Sequence, residues 1–255
     1  MSRAIRHEHP RRQGRPRRPT GAWAAGAAAA GFRALARRRG GPALHPHGLT
    51  CTADLEVVAD GGGPWGVRWL DSPARYAATA RLSRAGGLPV RLPDGLGLAV
   101  RVQAGDALDE PVDLLLTSCG RGRLTRHLPL PRTDALGGPY GSLLAYRIGD
   151  RFGLLAAVPR RTGRSARAAH GDPESLRAAL RHAPLVFDLR AQTPRGVWRT
   201  FAVLTVRTAL PLGRTQSLGF DPYEHSAPGF APGPALAAVR HAAYRGSRTG
   251  RSRST

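Results

Sequence analysis

Arg240 and Tyr244 stand four residues apart, after a run punctuated by Pro222, Pro228, Pro232 and Pro234. On a helix, positions i and i+4 share one face, which sets the guanidinium beside the phenol oxygen. The positive charge then favours the phenolate, and a phenolate is one of the few protein groups that hold haem iron axially. Alone, the pair is a common coincidence. Upstream, His45-Pro46-His47-Gly48 carries two histidines on one face of an extended segment. One of them can move protons, or both can ligate a metal. The nearest carboxylates, Asp54, Asp60 and Asp71, are not spaced to complete a phosphodiesterase-type hydrolase site around His45 and His47. Arg81 and Ser83 also share a strand face, offering a cation for a carboxylate and a hydroxyl that can orient a histidine. Asp94 to Arg101 reads as a turn and an apolar strand ending in a cation. Asp113 to Cys119 reads as a strand running into polar residues.

The elements that must position these residues are mostly strands. Alternation of apolar and polar residues, bounded by glycine and proline, predicts strands over 50–58, 75–83, 98–102, 112–117, 185–192 and 197–207. Two further strands, 142–147 and 152–158, flank Gly149-Asp150, a pair suited to a tight hairpin turn. Residues 173–182 read as a helix, with Glu174 early and Arg177, Arg181 and His182 late, as the helix dipole prefers. Seven to nine strands at regular spacing predict a mainly β, α+β fold: an antiparallel barrel or sandwich with a few flanking helices.

Composition bounds the rest. A chain of 255 residues suits one domain with tails. All 39 basic residues are arginine, and the net charge is +22. Residues 1–40 hold eleven arginines and one glutamate, and residues 240–255 hold five arginines and no acid, leaving +7 between them. The basic ends suit weak, non-specific contact with nucleic acid or other anions. Residues 21–36 are too short and too glycine-broken to span a bilayer and carry no clear cleavage site. Two cysteines make no disulfide framework. Together these read as a cytoplasmic protein with reduced thiols and no membrane span, compatible with homo-oligomerisation.

Taken together and in chain order, the motifs resemble the haem-binding core of the catalase family. The basic residue and glycine that follow the family's distal histidine look like His47-Gly48, which makes His45 the matching histidine. The family's Arg-Phe-Ser looks like Arg81-Leu82-Ser83, and its Arg-Asp-Pro-Arg-Gly-Phe-Ala-Val-Lys-Phe looks like Asp94 to Val102, with Gly97, Ala99 and Val100 matching and Arg101 in place of lysine. Its Asp-Leu-Val-Gly-Asn-Asn looks like Asp113 to Ser118, and its proximal Arg-x-x-x-Tyr looks like Arg240 to Tyr244. The resemblance spans about residues 43 to 248. It implies a catalase-type barrel over 41–248; composition reads 1–40 as an Arg-rich, largely disordered extension with a short helix and 249–255 as a disordered basic tail.

The resemblance also implies b-type haem, with Tyr244 as axial ligand supported by Arg240, and Arg81 and Arg101 as contacts for the propionates. His45 is then the distal base, oriented by Ser83, and Ser118 takes the place of the distal asparagine. The implied substrate is peroxide or an organic hydroperoxide. Serine cannot donate the asparagine's amide hydrogen bond. Pro42 replaces an expected arginine, and Arg245-Gly246 replaces Pro-Asp after the tyrosine. These departures point to peroxidase chemistry with weak or no catalase turnover. The alternatives are a catalase-type barrel that binds no haem and serves as a binding module, or a metal-dependent phosphodiesterase-type hydrolase using His45 and His47.

Overall fold

The computed structural model of the chain describes residues 47–59, 61–160, 169–193, 195–211 and 219–234. His45, Arg240, Tyr244 and the short helix expected within residues 1–40 lie outside the described residues.

Eight antiparallel strands close into a barrel. Around the ring they run β1 (His47–Val57), β10 (Trp198–Ala209), β9 (Leu185–Gln192), β8 (Leu155–Pro159), β5 (Tyr140–Gly141), β4 (Val112–Ser118), β3 (Leu96–Val102) and β2 (Arg75–Arg84). Strand alternation sorts the side chains. Leu49, Cys51 and Leu55 of β1 point inward with Ala80 and Leu82 of β2, Leu98 and Val100 of β3, Leu114 and Leu116 of β4, Phe187 and Leu189 of β9, and Leu204 and Val206 of β10, all buried. Closure leaves the barrel without an open edge, the usual liability of a long antiparallel sheet.

The Gly149-Asp150 hairpin forms as expected, with Ile148 paired to Arg151 and Gly149 at φ 65°. A glycine at the first central position suits a two-residue turn of this kind. Its two strands, β6 (Tyr146–Ile148) and β7 (Arg151–Gly153), do not join the barrel. They form a separate three-stranded sheet with β11 (Phe230–Pro232). That sheet brings Phe230 against Trp69 of the short helix α1 (Arg68–Asp71), with ring centroids 5.3 Å apart and nearly perpendicular. Trp69 also meets Tyr76 and Phe201 edge-on, so an aromatic cluster joins the small sheet to the barrel. Helix α2 (Pro173–His182) starts at Asp172, whose carboxylate accepts from Glu174 N and Ser175 N. It packs Leu176, fully buried, toward β1 and β10.

Candidate functional site

Barrel register builds the site. Gly48 lies opposite Ser83, Ser83 opposite Gly97, Gly97 opposite Thr117, and Thr117 opposite Gly141. One row along, Thr50 lies opposite Arg81, Arg81 opposite Ala99, and Ala99 opposite Leu115. All of these alternate with the core residues and belong to the outer face of β1 to β4. The wall is low because its residues are small. Leu115, 39% exposed, adds an apolar surface to it.

Arg81 is the cation of this wall. A Cβ added at Gly48 would lie 2.9 Å from Arg81 Cζ, 2.9 Å from Ser83 Cβ and 2.8 Å from the Leu82 carbonyl oxygen. Arg81 therefore crosses β1 where only glycine leaves it room. Its half-buried guanidinium is held below the usual arginine range by desolvation. Ser83 is 5% exposed beside it. Thr50 Oγ1, in the same row as Arg81, is buried with no hydrogen-bond partner among the described residues. Sequence reasoning named Arg81 and Ser83, and the structure brings them together. His47 pairs with Arg84 at the start of β1, and His45 precedes it by two residues.

Two other sequence candidates do not join this wall. Ser118 is fully buried and shares the inner face with Leu114 and Leu116. Its hydroxyl donates to Leu130 O at 2.7 Å and accepts from Leu96 N at 3.0 Å, tying β3 and β4 to the following loop. The side chain that faces outward at this end of β4 is Thr117. Counting the period of two from Asp113 would have found it in the sequence. Arg101 is on the outer face but committed elsewhere. Its Nε and Nη2 grip Asp113 at 2.8 and 2.7 Å, Nη2 also donates to Gly219 O, and the guanidinium lies 5.4 Å from the Phe220 ring centre. The hydrogen bond to Asp113, foremost, raises the pKa of Arg101. Asp113 further accepts from Asp221 N at 2.7 Å and stands 3.2 Å from His225 Nδ1. This cluster fastens the 219–225 segment across β3 and β4.

No group of three or more His, Cys, Asp or Glu side chains is placed to hold a metal among the described residues. Asp54 lies seven residues along β1 from His47, roughly 23 Å at the strand rise, and pairs with Arg207. Asp71 caps the turn before α1 through Trp65 N and Val67 N. Among the described residues, no helix is long and apolar enough to cross a membrane.

The fold is the catalase-type antiparallel barrel with few helices. A fungal catalase structure superposes with a TM-score of 0.57 at 11% identity, covering 83% of this chain and 59% of that one. A bacterial catalase superposes with a TM-score of 0.56 at 12% identity, covering 83% of this chain and 57% of that one. The chain thus spans less than three-fifths of the length of either. No protein-family model and no curated protein sequence matches it.

Proposed function

We propose that this chain is a catalase-like haem protein that acts on peroxide or an organic hydroperoxide, as a peroxidase rather than a fast catalase. The observation that carries this reading is the outer wall of β1 to β3, where Arg81, Ser83 and the orphaned Thr50 hydroxyl stand together above small residues. A planar macrocycle would pack on a partly apolar wall with a cation at its edge for a propionate; Arg81, the small residues beside it and Leu115 support that reading. Arg101 and Ser118 do not fit, because the fold uses both for its own hydrogen bonds.

When bound, haem would supply the redox chemistry at its iron. Tyr244 would hold the iron as phenolate, and Arg240 would stabilise that charge. Arg81 would bind a propionate, and its partial desolvation strengthens such a pairing. His45 would take a proton from one peroxide oxygen and return it to the other, as general acid–base catalysis requires. Ser83 would fix the orientation of that imidazole. With the position of the distal asparagine taken by a serine whose hydroxyl is already bonded, the second oxygen lacks an amide donor, which favours slow turnover.

The test is expression with haem supplied, followed by absorption spectra of the wild type, Tyr244→Phe and Arg81→Gln. A Soret band in the wild type that shifts or vanishes in Tyr244→Phe is the expected result. No haem uptake, or a spectrum unmoved by Tyr244→Phe, overturns the proposal and leaves a catalase-type barrel without haem.

A further inference from the structure

The wall described above continues around the barrel. Gly141 of β5 lies opposite Ala156 of β8, which lies opposite Arg190 of β9. There the small residues sink into a cavity of about 410 Å³, within the size range of small-molecule sites. Leu155 and Ala156 line it, Trp198 stands at the start of β10, and Arg121, Arg126 and Arg190 supply its charge. Among the described residues, no acidic one lines it.

The three arginines are unevenly satisfied. Arg121 makes no hydrogen bond or ion pair with a described residue. Arg126 Nε donates to Arg123 O at 3.0 Å, with no carboxylate partner among the described residues. Arg190 Nη2 holds Asp188 at 2.9 Å, but its Nε is buried without a partner. Behind the cavity, Arg132 donates to the carbonyls of Cys119 and Pro139. Burial above all depresses its pKa, and the Arg121 charge contributes further. Arg121 and Arg126 therefore bring positive charge with no carboxylate partner among the described residues to an apolar floor.

Leu143, also in the lining, has φ 59°. The left-handed region costs an L residue roughly 1–2 kcal/mol, and such outliers persist where the surroundings fix them. Ser142 fixes this one: Leu144 N donates to Ser142 O at 2.6 Å, and Ser142 Oγ donates to Leu144 O at 2.7 Å while accepting from Leu155 N at 3.1 Å.

We infer that this cavity binds a monocarboxylate with an apolar body. A guanidinium fork matches a carboxylate, and Arg121 and Arg126 both line the cavity without a carboxylate partner among the described residues. The chain's own ends are poor occupants, since residues 1–40 carry eleven arginines to one glutamate and repel the same charge. The site does not depend on haem.

Calorimetric titration of the full chain with decanoate, decanol, decyltrimethylammonium and acetate tests it. Decanoate should bind saturably at one per chain, with decanol and acetate at least tenfold weaker and the ammonium compound not bound. Arg121→Gln with Arg126→Gln should weaken decanoate at least tenfold without moving the thermal midpoint. Ala156→Trp, which fills the cavity, should abolish binding. Arg75→Gln, at an exposed arginine paired with Glu56, should change nothing. The inference fails if decanoate does not saturate at one site, if decanol binds as tightly, if the Arg121/Arg126 variant binds normally, or if Arg75→Gln weakens binding equally.

Discussion

Replacing Asp113 by asparagine tests whether the Arg101 cluster serves the fold or a cofactor. The Asp113 side chain is 0% exposed, and Arg101 is 14% exposed. Its two oxygens meet Arg101 Nε, Arg101 Nη2 and Asp221 N, with His225 Nδ1 at 3.2 Å. Asparagine keeps the volume, so no cavity confuses the result. Its amide would turn a donor toward at least one of these donors, and Arg101 would lose its counter-charge. Removing one member of a buried pair costs about 3–5 kcal/mol, against a typical total stability of roughly 5–15 kcal/mol. For a domain of this size each kcal/mol moves the midpoint by roughly 2–4 °C, so the expected fall is on the order of 6–20 °C. Urea unfolding followed by circular dichroism should show a lower midpoint with an unchanged slope. A cycle of Arg101→Leu, Asp113→Leu and the double variant should return a favourable coupling. A loss below about 1 kcal/mol in Asp113→Asn, with haem uptake altered instead, would refute the structural role and return Arg101 to the propionates.

Ser118→Ala should cost about 1–3 kcal/mol, because it strands Leu130 O and Leu96 N. It should leave any haem spectrum unchanged, and a spectral shift without destabilisation would put Ser118 back in the site. Gly48→Ala should destabilise by about 1–3 kcal/mol, as overpacking does, since its Cβ would meet the Leu82 carbonyl and Ser83 Cβ; a neutral result in thermal unfolding would show that β1 and β2 do not approach so closely at Gly48. Burial, slightly offset by the Arg177 charge, pushes the Cys51 thiol from 9.0 up to about 12. The folded state then keeps a proton that the unfolded chain releases, so this contribution to stability is present below about pH 9 and is lost as pH rises toward 12. Native Cys51 should resist Ellman's reagent at pH 8 until denaturant is added, and rapid native labelling would contradict its burial. Asp172→Ala should cost about 1 kcal/mol through loss of the α2 cap, read in the same urea titration.

The strands that carry the wall were legible because their alternation is local. β9 and α2 fall where the sequence predicts them, and β1 to β4 begin or end within a few residues of their predicted limits. Each is long enough for period and bounding turns to agree. β5 was not legible, since two residues have no period, and β11 was hidden in a proline-rich run. The 142–158 region was read as a single hairpin because nothing local says that β6 and β7 leave the barrel while β8 stays. That choice depends on Phe230 and Trp69, which are distant in sequence.

The sequence by itself determined the strand pattern, the order of the motifs and the resemblance that joins Arg81 and Ser83 with His45 and Tyr244. These follow from residue type and local spacing. Only the tertiary structure decided which partner each polar group meets. Closing the barrel set Gly48, Ser83, Gly97 and Thr117 side by side, joined Ser118 to Leu96 and Leu130, and gave Arg101 to Asp113. The reason is physical: a buried polar group must find a partner, and its partner is fixed by the register of strands far apart in the chain. No local pattern records whether a given serine or arginine has already been used.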